Sequence, residues 1–182
     1  MRSFPHIGEV PAAQPLAADE ILELHASRLL MLLRFAGTAN RIEGLTKLAK
    51  LDFFVRYPDA FDRMAAYLRK TLRATTSTIE SPMVRHHYGP WDRRYYQILP
   101  FLEARGLIQV QRRDAAFVFE LTKSGKQIAD SLSKEPAFVA QCEQMRQVKK
   151  LLGPKTGSAI KKLIYKVFKE EVTERPLGEV IT

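Results

Sequence analysis

The chain holds a single cysteine, Cys142, in 182 residues, so no internal disulfide can staple it, and no Cys/His grouping has the spacing of a zinc site. A reducing compartment is the expected setting. Long apolar runs are also missing, since no stretch approaches the ~20 apolar residues of a membrane span. The N-terminus carries Pro5, Pro11 and Pro15 but no apolar core of a signal segment. These absences lead to the expectation of a soluble, cytoplasmic protein without membrane contact. Nor do the glycines form a phosphate cradle. Gly153-Pro154-Lys155-Thr156-Gly157 lacks the first glycine at the needed spacing and the Gly-Lys-Ser/Thr ending.

Catalytic signatures are equally scarce. His86 and His87 are adjacent, so on a strand they point to opposite faces and cannot chelate one metal as an i,i+4 helical pair does. Cys142 falls in an amphipathic stretch, where a free thiol behaves as a small core hydrophobe. Asp52, Asp59 and Asp62 are placed at expected helix ends, where carboxylates cap or stay solvated. The expectation is therefore no catalytic residue, no metal site, no cofactor and no enzymatic activity.

What is present is an ordinary globular balance: 46% hydrophobic and 27% charged residues argue for a folded chain with its own core. The net charge of +9 favours nucleic acid or an acidic partner, and fits a generally basic soluble protein equally well. Residues 1–16, interrupted by prolines, read as an extended arm. Apolar residues at three- and four-residue steps predict helices from Ala17 to Phe35, from Leu45 to Tyr57 and from Phe61 toward Leu72. The polar face of the second carries Lys47 and Lys50. A fourth helix is expected to open at Pro90 and stop at Gly106, with Trp91 and Tyr95 facing the core. Leu107 to Gln111 and Ala116 to Leu121 read as a hairpin, and Thr122 as the N-cap of a helix running to Leu132. Pro136 to Leu152 and the stretch around Ile160 to Phe168 predict two more helices.

The expected fold is mostly α with a small β-hairpin: a winged-helix-like core over 17–133 and a C-terminal helical extension and tail over 134–182. Within it, Arg85, Arg93 and Arg94 flank the candidate recognition helix, Arg112 and Arg113 occupy the candidate wing, and Lys123 and Lys126 begin the next helix. Such groups can meet a phosphate backbone together, or form an ordinary solvated face. Tyr96, less constrained than Trp91 and Tyr95, is a candidate partner contact. A further group, Lys149, Lys150, Lys155, Lys161, Lys162 and Lys166, lies opposite the apolar stripes of the last helices and could attract DNA or an acidic subunit.

Three motifs carry a family resemblance: Arg41-Ile-Glu-Gly-Leu-Thr-Lys-Leu-Ala-Lys-Leu-Asp-Phe-Phe-Val-Arg-Tyr-Pro58, Tyr88-Gly-Pro-Trp-Asp-Arg-Arg-Tyr-Tyr96 and Arg175-Pro-Leu-Gly-Glu-Val-Ile181. Over residues 25–181 the chain resembles the middle-component proteins of bacterial ABC three-component systems, the Lamassu type of anti-phage defence. The resemblance implies a non-catalytic adaptor bound to an SMC/Rad50-like ATPase, with a nuclease-type effector as third component. By analogy with small winged-helix subunits that clasp such ATPases, the C-terminal tail, with Leu177, Val180 and Ile181, would serve as grip, and the basic wing would touch double-stranded DNA. The Tyr-Gly-Pro element is also similar to that of Panacea-type antitoxins, whose partner is a toxin. A sequence-specific winged-helix transcription regulator is the remaining alternative.

Overall fold

The computed structural model describes residues 21–75, 83–86, 89–114 and 116–169. Among these residues the chain is mostly helical. Its elements are α1 (Leu22–Phe35), β1 (Arg41–Glu43), α2 (Leu45–Arg56), α3 (Pro58–Tyr67), β2 (Val84–His86), β3 (Gly89–Trp91), α4 (Tyr95–Ala104), β4 (Ile108–Arg113), β5 (Ala116–Leu121), α5 (Lys123–Leu132), α6 (Pro136–Leu152) and α7 (Gly157–Val167). The expected arm at 1–16 and the tail residues Leu177, Val180 and Ile181 lie outside the described residues.

Two helices sit at the centre. Leu29, Leu30, Met31, Leu32 and Leu33 of α1 are all buried, and a helix apolar on every side needs neighbours on every side. α4, α5 and α6 supply them. In α2 every residue from Leu48 to Arg56 is buried, wrapped by α3, α6, α7 and β3. The helices expected as a C-terminal extension thus share the main core: Cys142, Met145, Val148, Ile160 and Ile164 join the same cluster as Leu29 and Phe54.

The sheet is small. β5 runs between β1 and β4, antiparallel to both, with Ile42 opposite Phe119 and Ile108 opposite Leu121. The hairpin of β4 and β5 was expected; β1 was not, because three residues are too few to show alternation. β2 and β3 form a separate two-stranded ribbon that pairs Val84 with Trp91. That pairing corrects the expected start of the fourth helix: Pro90 lies in β3, and α4 begins only at Tyr95. A proline needs no ladder hydrogen bond at an edge, so it suits this ribbon as well as a first helical turn. The third helix is also shorter than expected. Arg69 takes a left-handed φ of 54°, which ends it just past Tyr67.

Local chemistry sets the junction around the hairpin. Gly106 adopts φ 66°, a conformation L side chains rarely take, and this stops α4. Thr122 caps α5 by accepting from the Gly125 N–H at 3.0 Å while its hydroxyl donates to the Gly106 carbonyl at 2.7 Å. One threonine thereby ties the exit of α4 to the entry of α5. Gly125 is buried in the first turn of α5, where a Cβ would run into the Leu107 carbonyl. Gly125→Ala is expected to lower stability by about 1–3 kcal/mol through this overlap, read as a fall in the urea midpoint. An unchanged midpoint would show that α5 and the α4–β4 turn separate freely.

Candidate functional site

Full burial of α2 leaves its polar residues without solvent, so each has to find a partner inside. Lys50, Asp52 and Arg56 are all at most 1% exposed. This corrects the expectation that Asp52 caps a helix end and that Lys50 lies on a solvated face. Asp52 receives the Arg28 guanidinium from α1 through two contacts, Nε at 2.9 Å and Nη2 at 3.4 Å, and the Tyr95 hydroxyl donates to it at 2.6 Å. Arg56 donates through Nη1 to Asp92 at 2.8 Å. Arg94 closes on the same carboxylate from Nε and Nη2, at 2.9 and 2.8 Å, and its backbone N–H adds a further bond at 2.9 Å. His25 lies between Arg28 and Arg94, its two ring nitrogens 2.9 and 2.6 Å from them. A guanidinium only donates, so the imidazole accepts through its one unprotonated nitrogen.

Three guanidiniums and two carboxylates therefore join α1, α2, the residue after β3 and α4 in one lattice. Burial alone would raise the Asp92 carboxyl, but the hydrogen bonds from Arg94 and the charge of Arg56 more than reverse this and hold it well below the usual carboxylate range. The Tyr95 phenol is raised well above its ordinary value by burial and by the Asp52 charge, so it stays a donor. Acid, base and donor groups stand together here, yet Asp52, Arg56 and Tyr95 are closed off from solvent. The cluster acts as a fastening, with its charges spent on one another.

The fastening positions what lies outside it. Trp91 is buried against Tyr95 in an edge-on contact, with centroids 5.7 Å apart, and Tyr96 lies 6.2 Å from the Trp91 ring while remaining 63% exposed. Trp91 and Tyr95 face the core as expected, and Tyr96 faces out. Among the candidate phosphate contacts, Arg93, Arg112, Arg113 and Lys123 are exposed and Lys126 is half-buried. Arg94 belongs to the buried lattice, and its guanidinium is committed to Asp92 and His25. Arg85 lies in β2, with its side chain outside what is described.

The sequence reading missed Phe117, which is 52% exposed and pairs directly across the hairpin with Arg112. Alternation along β5 gives the signal, because Phe117 shares a strand face with buried Phe119 and Leu121 but lies beyond the core. It missed the lattice too, although Arg28 within a leucine-rich helix and the Asp52/Arg56 spacing of four were visible. A cleft of about 300 Å³ lies apart from all of these, lined by Asp62, Ala66, Lys70, Thr71, Leu72 and Arg73. Its Asp62 carboxylate already accepts the Ala74 N–H at 2.7 Å. Among the described residues no group of His, Cys, Asp and Glu is arranged to hold a metal ion, and no helix is long and apolar enough to cross a membrane.

Two outcomes are expected. Asp52→Asn strands Arg28 and weakens the bond to Tyr95, so it should cost about 3–5 kcal/mol in a guanidinium titration, against about 1 kcal/mol for Tyr95→Phe. Lys50 is different, since its ammonium donates to the Pro90 carbonyl at 2.8 Å and is lowered to about 7 by burial, reinforced by the charge of Lys161. Between about pH 7 and 10 the unfolded chain keeps this proton while the folded chain has released it, so stability rises with pH across that window. Relative to Lys50→Met, the wild type should gain stability from pH 7 upward, at a slope that approaches about 1.4 kcal/mol per pH unit between about pH 8 and 9. A pH-independent difference would show that Lys50 titrates as an exposed lysine. Comparison of the chain with protein-family models, with curated proteins and with solved structures gives no match.

Proposed function

We propose that this protein is a cytoplasmic, non-catalytic adaptor of winged-helix-like fold, a subunit of an anti-phage defence complex that binds an SMC/Rad50-like ABC ATPase alongside a nuclease-type effector. The single observation that carries the reading is Tyr96. A large aromatic ring stands in solvent on a helix whose first residue, Tyr95, is bonded to Asp52 of the buried lattice and packed edge-on against buried Trp91. A pre-positioned tyrosine loses little freedom on binding and is among the residue types that dominate interface energies. The three resembling motifs name the class of partner.

The winged-helix reading is supported by element order. α1, β1, α2, α4, β4 and β5 follow the helix–strand–helix–helix–strand–strand plan, the last-formed strand lies between the other two, and α3 with the β2–β3 ribbon enters as an insertion before the third helix. The wing would be the β4–β5 hairpin, and its exposed Arg112 and Arg113 would reach double-stranded DNA as an auxiliary contact.

A transcription regulator of the same fold would read bases with α4. That helix carries no Lys or Arg, and its exposed residues include Tyr96, Gln97, Pro100 and Glu103. With no cation on the helix itself to reach phosphates or base edges, α4 suits a protein partner better. The Panacea-type antitoxin alternative shares the protein-binding use of α4 and differs in the partner.

Co-expression with the genes flanking its own, followed by a tagged pull-down, tests the reading. A stoichiometric complex with a large coiled-coil ATPase is expected, and Tyr96→Ala should weaken it by about 30-fold with the thermal midpoint unchanged, because the ring contributes little to the core. Recovery of the chain alone as a dimer, or with a small toxin, would overturn the adaptor assignment.

A further inference from the structure

The positive charge of the molecule is unevenly placed. Between Pro136 and Lys169 the sequence has one acidic residue, Glu143, against Arg146 and a series of lysines. Glu143 is taken by Arg146 at 3.1 Å on the same helix. Lys149 and Lys150 stand exposed in the last turn of α6, Lys155 lies half-buried in the following turn, and Lys162 and Lys166 are exposed four residues apart on α7. Among the described residues Lys149, Lys150, Lys155 and Lys162 have no ion-pair partner. The surface is also fixed. Lys47 of α2 donates to the Gly153 carbonyl at 2.8 Å, and Gly157 lies so close to the Lys47 backbone that a Cβ there would approach within 3.0 Å of its nitrogen. The turn between α6 and α7 is thereby seated on the central helix, and α7 buries Ile160 and Ile164 beneath its lysines.

We infer that the exposed lysines at the end of α6, in the 153–156 turn and on α7 together bind the phosphate backbone of double-stranded nucleic acid, separate from the wing. Ammonium groups without carboxylate partners neutralise phosphates at no cost in broken ion pairs, and a polyanion that meets them releases its own counterions. Composition distinguishes the partner. Lysine is depleted from protein–protein interfaces, which use large apolar and aromatic anchors. Val139, a large apolar residue exposed on α6, lies in that helix's first turn, at the opposite end from Lys149 and Lys150. A single strand would need open aromatic faces for its bases, but Tyr67 and Tyr165 each carry a lysine over the ring, Lys166 and Lys161, both at 5.7 Å. A lipid surface would need an apolar face to insert, and the apolar residues Ile160 and Ile164 are buried.

The inference goes beyond the adaptor reading and does not rest on it, since its test uses the full chain alone. The probe is a 30-base-pair DNA duplex of random sequence, titrated by fluorescence anisotropy at several salt concentrations. The variant Lys149→Gln, Lys150→Gln, Lys155→Gln, Lys162→Gln is compared with Arg112→Gln, Arg113→Gln, and with wild type, each first shown to keep the wild-type thermal midpoint. The four-lysine variant is expected to bind at least 10-fold more weakly at low salt and to lose about 2–4 units of the log–log salt slope, near 0.9 for each phosphate contact removed. The wing variant should lose less than half as much. Unchanged affinity and slope in the four-lysine variant would overturn the inference, as would equal competition by polyglutamate at matched charge, which would assign the face to an acidic protein. Tighter binding to a single strand than to the duplex would also overturn it.

Discussion

The Asp52 carboxylate is the point on which three elements converge. It is fully buried on α2, receives Arg28 from α1 and Tyr95 from α4, and has Arg56 3.8 Å away one turn further along its own helix. Arg56 passes the connection on to Asp92, and Arg94 completes it. Removing four charged groups and most of a fifth, Arg94, from water is expensive, and an apolar cluster of the same volume often stabilises a fold as well or better. Directionality distinguishes the ionic solution. Leucines tolerate a helix sliding by an ångström, whereas guanidinium–carboxylate pairs at 2.8–2.9 Å do not. The lattice therefore fixes where α4 begins relative to α1 and α2, and so where Tyr96 stands.

Much of the fold was legible because its periodicities are long. The bounds of α6, the strand from Ala116 to Leu121 and the Thr122 cap follow from apolar spacing and turn chemistry, and the structure agrees with them, while β4 runs two residues past its expected end at Gln111 and takes Arg112 and Arg113 into the ladder. The short elements were not legible. β1 and the β2–β3 ribbon have three residues each and hold their shape through tertiary pairing, so alternation had nothing to act on. Pro90 was ambiguous for a physical reason, since the same missing N–H is tolerated in a first helical turn and at a ribbon edge.

The candidate site divides in the same way. Tyr96, Arg112, Arg113 and Lys123 could be placed outward from helix and hairpin spacing, and they are exposed. Arg94 could not, because its inward role depends on Asp92 and His25, the latter 69 residues away in sequence. Lys50 and Asp52 were misjudged for a related reason. A pattern argument assigns polar residues to a helix's wet face, but α2 has no wet face between Leu48 and Arg56. Its polar residues are internal, and only the partners reveal that.

The buried and exposed charges of this protein stand in different thermodynamic positions. Inside, positive groups have carboxylates in contact, and the exception, Lys50, has a backbone carbonyl and a lowered pKa instead. Outside, on α6, α7 and the turn between them, Lys149, Lys150, Lys155 and Lys162 have no carboxylate partner among the described residues, while Lys166 and Lys161 lie over the Tyr67 and Tyr165 rings. Screening over roughly 8–10 Å makes the mutual repulsion of exposed lysines small at physiological ionic strength. An extended anion that binds such a surface only in the folded state stabilises that state. The same reasoning separates the two faces of the molecule. Tyr96 offers apolar area at little entropic cost and favours a shaped protein partner, while the lysines offer charge without shape and favour a repeating one.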